Sequence, residues 1–172
     1  CPIEIPNEFE EGIAPRKAIY IPHAQAVPLR YVIDEDACIH CYKCVDACGK
    51  LDAIDFSQKA KQEWLDVGSI LVATGFDNFD PSVIKEYGFG RYANVITAME
   101  LERINNSAGP TAGRIMRPSD GKFPNKISLI QCVGSRDERY NLYCSGFCCM
   151  YTIKNAVQWK QTYPDADITN FY

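Results

Sequence analysis

Prolines and short apolar stretches set the first part of the chain apart from the rest. Five prolines lie within the first 33 residues. Because proline has a fixed φ and no backbone N–H, this density predicts extended and turn-rich backbone. Residues 18–21 and 31–33 are short β-prone pieces within it. The cysteine-rich residues 36–56 that follow are expected to form loops and a short helix.

In the second part of the chain the apolar pattern predicts alternating strands and helices. The continuous apolar run at residues 70–73 predicts a buried strand that ends at Thr74 and Gly75. Apolar residues at near-helical spacing over residues 96–104 predict a helix, which the Gly-Pro pair at 109–110 stops.

The last 46 residues have the pattern of a βαβ unit. Residues 127–135 predict a second buried strand, and residues 145–162 predict a helix with Cys149, Ile153 and Val157 along one side. A further strand resumes in "ADITNFY" after Pro164. A strand, a crossover helix and a strand in this order predict a parallel, right-handed connection.

Composition narrows the class of protein. A net charge of −4 and a pI near 5.2 argue against a nucleic-acid or anionic-membrane surface. No apolar run approaches the roughly 20 residues that span a bilayer. Nine cysteines is a high and odd number, and they cluster at short spacings. This favours thiolate ligands for metal over disulfides, and it predicts a reducing, cytoplasmic location.

The first cysteine cluster has the spacing of bacterial ferredoxins. Cys38, Cys41, Cys44 and Cys48 form a C-x2-C-x2-C-x3-C run. In this pattern three thiolates wrap one [4Fe–4S] cluster, and the fourth reaches the other cluster of a two-cluster protein. A zinc site normally uses two separated C-x2-C pairs, so zinc is the weaker alternative.

The Cys1-Pro2 pair matches the last residues of such a run, because ferredoxin runs end in Cys-Pro. We therefore expect Cys1 to complete the cluster held by Cys38, Cys41 and Cys44. Cys48 would then bind a second cluster whose other ligands lie upstream of this sequence. Gly49 follows Cys48 where proline is usual, which weakens that assignment. The alternative for Cys1 is an unstructured terminal thiol.

A second group of cysteines lies in "CVGSRDERYNLYCSGFCC", and it comprises Cys132, Cys144, Cys148 and Cys149. Cys132 would end a strand, Cys144 would precede a helix, and Cys148 would lie one helical turn further along the same face. Four such thiolates could hold another cluster, although the spacing is not standard. Small buried cysteines and a redox-active vicinal pair are the alternatives.

A strand that runs into Ala-Thr-Gly is also found late in the FAD domains of disulfide-reductase relatives. Thr74 and Gly75 are therefore candidate flavin contacts, although any buried strand can end in this way. Lys154 is a candidate cation near a flavin edge, with a solvated surface lysine as the alternative. The sequence contains no G-x-G-x-x-G, so nicotinamide binding is not supported.

Together, "CPIEIPNEFEEGIAPRKAIYIP", "CIHCYKCVDAC", "ILVATGF", "RPSDGK" and "IQCVGSRDERYNLYCSGFCCM" resemble the A subunit of heterodisulfide reductase and its relatives. The resemblance implies an α/β (α+β overall) fold, with a ferredoxin-like iron–sulfur insert and part of a thioredoxin-reductase-like, FAD-dependent doubly wound domain. We place the insert at residues 1–62 and the FAD-domain part at residues 63–172. The missing glycine loop and first half of the insert indicate an internal fragment.

The resemblance also implies that the second cysteine group ligates a [4Fe–4S] cluster near the FAD. The flavin of this family splits electron pairs from a hydrogenase or formate dehydrogenase partner. One electron goes to ferredoxin and the other toward a heterodisulfide on B and C type subunits, CoM-S-S-CoB in methanogens. A homodimer within the complex is expected. The alternatives are a ferredoxin-like relay module without flavin chemistry and an NADPH-dependent amidotransferase-type reductase.

Overall fold

The computed structural model describes all 172 residues, which divide into two compact units, Cys1–Asp77 and Asn78–Tyr172. In chain order the strands and α-helices are β1 Glu4–Pro6, β2 Pro15–Lys17, β3 Ile19–Tyr20, β4 Val32–Ile33, α1 Lys43–Cys48, α2 Ala98–Asn105, β5 Lys126–Ile130, α3 Cys148–Thr162 and β6 Asp167–Phe171. Short 3-10 helices cover Glu8–Glu10, Gly49–Leu51, Pro81–Val83 and Lys85–Tyr87. None of the helices combines the length and apolarity that a membrane crossing requires.

Two antiparallel strand pairs, β1–β2 and β3–β4, form the framework of the first unit. The β3–β4 pair confirms the two β-prone pieces predicted from the sequence. The β1–β2 pair was not predicted, because each of its two strands contains a proline. Pro6 lies opposite Pro15 at the end of the pair, where a strand tolerates a residue without an N–H.

The strand predicted at residues 70–73 is absent, and that prediction is wrong for this structure. Ile70, Leu71 and Val72 are 82%, 92% and 74% exposed. A strand requires a neighbour that completes its backbone hydrogen bonds, and no strand of the chain pairs with this run. An apolar run that is continuous in sequence therefore lacks both a sheet and a core to enter.

The predicted βαβ unit is confirmed in the second unit, where β5 and β6 pair in parallel with α3 between them. Both predicted boundaries on the cysteine side are wrong. β5 ends at Ile130 and not at residue 135, because Cys132 has a left-handed φ of +56° that a strand cannot contain. α3 begins at Cys148 and not at residue 145, because Gly146 has a φ of +81°.

The predicted helix at residues 96–104 is confirmed as α2, which begins in a capping box. The Thr97 hydroxyl accepts a hydrogen bond from the Glu100 N–H at 3.1 Å, and the Glu100 carboxylate accepts one from the Thr97 N–H. The buried apolar set is small, and most of it belongs to the second unit: Ala18, Ile84, Ile104, Ile115, Trp159 and Ala166. The buried face of α3 consists of Thr152, Asn155 and Trp159, whereas Cys149, Ile153 and Val157 are exposed.

Candidate iron–sulfur sites

The first candidate site is a pocket in the first unit whose wall includes Cys1, Cys38, Cys41 and Cys44. Apolar and aromatic side chains complete this wall: Ala18, Ile19, Ile33, Ile39, Tyr42 and Phe56. The pocket encloses about 330 Å³ of empty volume, part of it open to solvent. Four thiols within an apolar wall fit an iron–sulfur cluster, because thiolates are its ligands and an apolar shell limits the access of water.

Asp34 holds the backbone that leads into Cys38. Its carbonyl oxygen accepts a hydrogen bond from the Cys38 N–H at 2.9 Å, and its Oδ1 accepts one from the Ala37 N–H at 3.1 Å. Its Oδ2 accepts one from the Arg16 guanidinium at 2.7 Å. The bond from Arg16, followed by the bond from Ala37, lowers the pKa of the Asp34 carboxyl. Ionised Asp34 therefore ties β2 to the start of the cysteine loop.

The loop around Cys41 is tightly turned. Its two neighbours, His40 and Tyr42, both have left-handed backbone, with φ values of +49° and +55°. The ring of Phe56 lies against both side chains, 5.1 Å from the Tyr42 ring in an edge-on arrangement and 5.8 Å from the His40 ring. Successive reversals of this kind allow three thiols within seven residues to reach one pocket.

Cys48 does not belong to the lining of this pocket. It is the last residue of α1, and its Sγ accepts a hydrogen bond from the Ala53 N–H at 3.3 Å. Gly49 follows with a φ of +57°, so the chain reverses directly after the thiol. Cys48 is thus separated from the other three thiols of the run and held by its own downstream backbone.

The second candidate site is a loop that leads from Cys132 to Cys144 in the second unit. The Arg136 N–H donates to the Tyr143 carbonyl at 3.1 Å, so the residue before Cys144 is tied to the beginning of the loop. This closure, and not strand or helix geometry alone, brings Cys144 back toward Cys132.

Gly134 is required for this loop to close. It has a φ of +73°, and a Cβ added there would lie 2.4 Å from the Phe79 ring. The Asn141 side-chain amide donates to the Gly134 carbonyl at 2.8 Å, which fixes the peptide from the other side. Any side chain at Gly134 would therefore be strained in conformation and would also collide with an aromatic ring.

Two donors contact the thiols at the ends of this loop. Arg136 Nη1 donates to Cys132 Sγ at 3.8 Å, and the Gly146 N–H donates to Cys144 Sγ at 3.4 Å. Each of these two thiols therefore has a hydrogen-bond donor beside its sulfur.

The adjacent thiols Cys148 and Cys149 have opposite pKa shifts. Burial raises the pKa of Cys148, but the Ser145 hydroxyl, buried and otherwise unpartnered, and the Cys132 N–H outweigh burial, and the net pKa is lowered. The charge on Cys148 is the first cause that raises the pKa of Cys149, and burial, Cys132 and Cys144 raise it further. The thiols of Cys132, Cys144 and Cys148 therefore all lie near enough to Cys149 to raise its pKa.

The three candidate flavin contacts lie in two units. Thr74 and Gly75 belong to the first unit, where both are exposed and Gly75 has a φ of +76° with no side chain over it. The exposed backbone at Gly75 fits the close approach of a cofactor. Lys154 belongs to the second unit, and its ammonium lies 2.7 Å from the Glu102 carboxylate. Lys154 is thus an ion-paired residue. It is neither an unpaired cation, as a position beside a flavin edge suggested, nor a lysine that contacts only solvent.

Sequence analysis missed the residues that organise the cysteines. Asp34 carried a detectable signal, because an aspartate shortly before a turn often accepts from the backbone beyond it. Arg136 carried none, because its contact with Cys132 depends on how the loop closes. No three His, Cys, Asp or Glu side chains come together closely enough to bind a single metal ion.

Residues 31–50, which include the cysteine run, match the protein-family model described as a 4Fe-4S binding domain. The same segment supplies three of the four thiols of the pocket, and together these observations define the class: the chain contains an iron–sulfur module of the ferredoxin type.

Nearly the whole chain is similar to larger proteins of methanogens. It is 54% identical over 169 residues to the iron-sulfur A subunit of CoB--CoM heterodisulfide reductase from Methanocaldococcus jannaschii, covering 98% of this chain and 26% of that protein. It is 50% identical over 173 residues to the A subunit of H(2):CoB-CoM heterodisulfide,ferredoxin reductase from Methanothermobacter marburgensis, covering 100% and 26%. The corresponding Methanosarcina acetivorans protein, named ferredoxin/F(420)H(2)-dependent, is 49% identical over 100% of this chain and 22% of its own length.

These matches confirm the predicted resemblance to heterodisulfide reductase A subunits. It spans about a quarter of the length of these relatives.

Proposed function

We propose that this chain carries electrons between [4Fe–4S] clusters and a flavin within an oxidoreductase of the heterodisulfide reductase type. The observation that carries the proposal is the pocket that Cys1, Cys38, Cys41 and Cys44 line together. Cys1 is remote from the other three in sequence, so this placement supports a ligand set that spacing alone left open. The match of residues 31–50 to 4Fe-4S binding domains supports the same chemistry.

Cys1, Cys38, Cys41 and Cys44 would hold the first cluster. The position of Cys48 outside the pocket supports its assignment to another ferredoxin-type cluster, whose remaining ligands are not in this sequence. When bound, such a cluster accepts and releases single electrons with little rearrangement of its ligands. The part of the protein is to hold the thiols through Asp34 and to limit water through the wall at Phe56.

Cys132, Cys144, Cys148 and Cys149 would hold a further [4Fe–4S] cluster. The nearness of the other three thiols to Cys149 and the two donors to Cys132 and Cys144 support this assignment. α3 begins at Cys148, so the positive end of its dipole also favours thiolate charge there. No acid, base or nucleophile is needed for electron transfer in either unit.

FAD is part of the proposal, with contacts at Thr74, Gly75 and Lys154. The accessible left-handed backbone at Gly75 supports the first two, whereas the Glu102 ion pair means that Lys154 would act as a partly neutralised cation. We propose that this flavin splits electron pairs between ferredoxin and a heterodisulfide. The relatives' names, which include ferredoxin and CoB-CoM heterodisulfide, support this direction.

The remaining parts of the proposal concern context. B and C type subunits, a hydrogenase or formate dehydrogenase, and ferredoxin are the proposed partners, within a complex in which the parent protein forms a homodimer. All nine cysteines are free, which supports a reducing compartment, the cytoplasm. Residues 1–62 would be the second half of a ferredoxin-like insert, and residues 63–172 would be part of a thioredoxin-reductase-like, doubly wound FAD domain.

One observation favours a second candidate, a relay module without flavin chemistry of its own. The run at residues 70–73, which leads to Thr74 and Gly75, is exposed and unpaired in this chain. A backbone that is not held by a sheet is poorly organised for binding a dinucleotide.

Anaerobic reconstitution with iron, sulfide and FAD tests these proposals. We expect broad cubane absorption and EPR signals on reduction from two distinct clusters. A reconstituted chain with neither signal would contradict the iron–sulfur assignment. If clusters form but FAD is bound neither by the chain nor by a longer protein that contains it, the relay module is correct.

A further inference from the structure

Arg136 directs a cation at a cysteine and has no carboxylate partner. Its Nη1 lies 3.8 Å from Cys132 Sγ, and it takes part in no salt bridge. Arg139 provides the contrast within the same loop, because its guanidinium pairs with Asp137 at 2.9 Å and with Glu86 at 3.7 Å. Asp137, the next residue in the chain, is thus neutralised by Arg139, and the positive charge of Arg136 remains available to sulfur.

The backbone fixes where the Arg136 side chain begins. Its φ of +56° is left-handed, and its N–H donates to the Tyr143 carbonyl at 3.1 Å. The same residue therefore closes the loop through its backbone and contacts the thiol through its side chain. Arginine is suited to this position, because its guanidinium stays charged and presents several donors in a fixed plane.

The cysteine run of the first unit differs in this respect. Its sulfur contact is the neutral bond from the Ala53 N–H to Cys48, which lies outside the first pocket, whereas the second site combines a cation with the Gly146 N–H. Hydrogen bonds to sulfur and nearby charge set the reduction potential of an iron–sulfur cluster. Reduction adds one negative charge to the cluster and its thiolates, so a cation beside Cys132 favours the reduced state.

We propose that Arg136 raises the reduction potential of the cluster held by Cys132, Cys144, Cys148 and Cys149. This inference rests on the proposed function, because it requires a cluster at these cysteines. The step is a one-electron reduction by an external reductant such as dithionite, in which no bond forms or breaks and no proton moves. Arg136 acts through Cys132 and is therefore a potential-setting residue.

The expected effect is moderate, because Arg136 is exposed and water screens its charge. We expect loss of the charge to change the ratio of reduced to oxidised cluster by up to about tenfold at a given ambient potential, which is about 59 mV for a one-electron couple. Loss of the Arg136 charge is therefore expected to lower the midpoint potential of the second cluster.

The test compares Arg136→Gln, Arg136→Lys and the double variant Asp137→Asn/Arg139→Gln in the anaerobically reconstituted chain by potentiometric titration with EPR detection. The double variant removes an arginine of the same loop that has no contact to sulfur, together with its carboxylate partner, so it is a control that leaves no unpaired carboxylate at residue 137. Cys41→Ala is used as a second background, because only the second cluster should give a signal there. The first cluster, where present, is an internal reference.

Arg136→Gln should lower the midpoint potential of the second cluster, Arg136→Lys should lower it less, and Asp137→Asn/Arg139→Gln should leave it near wild type. An unchanged potential in Arg136→Gln, or an equal shift in the double variant, would overturn the inference while leaving the proposed cluster in place. Absence of the second signal from the wild-type chain would instead contradict the proposed function. Iron content of each variant separates a shifted potential from a lost cluster.

Discussion

Replacement of Trp159 tests whether the second unit depends on this one buried side chain. Trp159 is 1% exposed and belongs to a buried apolar set of few residues. It lies on α3, whose first two residues are Cys148 and Cys149. Its Nε1 is buried and has no hydrogen-bond partner in the structure. Trp159 therefore stabilises the second unit through its buried ring and destabilises it through its unpaired N–H. The substitutions Trp159→Ala and Trp159→Phe separate these two contributions.

Trp159→Ala removes the whole ring system, and a change of this kind costs about 3–5 kcal/mol of unfolding free energy. Trp159→Phe keeps most of the buried area and leaves a smaller cavity, at a cost of roughly 1–2 kcal/mol by the same reasoning. It also removes an unpaired buried N–H, whose desolvation penalty is about 1–3 kcal/mol. The two terms nearly cancel, so we expect Trp159→Phe to lie within about 1 kcal/mol of wild type.

Urea unfolding followed by far-UV circular dichroism measures both variants, and hydrogen exchange of α3 assigns the loss to the second unit. Tryptophan fluorescence is unsuitable, because Trp64 is 98% exposed and contributes a background. In the reconstituted Trp159→Ala variant, we expect the second cluster to be lost at a lower urea concentration than the first. A cost for Trp159→Phe as large as that for Trp159→Ala would refute the reasoning, since it would show that Nε1 is not an unsatisfied donor.

Three further predictions follow from the sites. Cys41→Ala should abolish the first cluster and leave the second, whereas Cys48→Ala should leave the first cluster intact. Iron content and EPR spectra of the reconstituted variants measure both outcomes. Loss of both cluster signals in Cys41→Ala would contradict two independent sites. Gly134→Ala should destabilise the second unit more than Gly146→Ala does, as measured by thermal unfolding. Both substitutions replace a glycine of left-handed φ, which costs about 1–2 kcal/mol of unfolding free energy, but only the alanine at 134 would also collide with the Phe79 ring. Equal costs for the two variants would contradict the clash. The pKa of Asp34 is lowered in the folded chain, so its contribution to stability is complete above the unfolded value of about 3.9 and is lost as pH falls through the folded value. The apo wild type should therefore lose more stability below about pH 4 than Asp34→Asn does, as measured by urea unfolding at several pH values, and parallel pH profiles would argue against the ion pair.

The elements that were predictable are those whose partners lie close in sequence. The β3–β4 pair, α2 and the unit of β5, α3 and β6 are confirmed, because each depends on local periodicity or on the order of consecutive elements. The run at residues 70–73 had an equally clear apolar pattern, yet it forms no strand. A strand is completed by its neighbours, and a pattern within one segment carries no information about whether a neighbour is present.

The ferredoxin-type site shows which ligands can be predicted from cysteine spacing and which cannot. The four-cysteine run is written in the sequence, and the family model recognises it at residues 31–50. The entry of Cys1 into the pocket and the position of Cys48 outside it depend on the strand pairs and on the turns at His40 and Tyr42. Both assignments remain predictions until the clusters are measured.

By itself, the sequence determined three properties of this protein: cysteines at iron–sulfur spacing, an acidic composition and the resemblance to heterodisulfide reductase A subunits. Only the tertiary structure decided which donors reach those thiolates. Asp34 contacts Arg16 and Arg136 contacts Cys132 because strands pair and a loop closes over Gly134. The physical reason is that ligand identity is a property of single residues, whereas hydrogen bonds and charge at a sulfur depend on which parts of the chain come together in space.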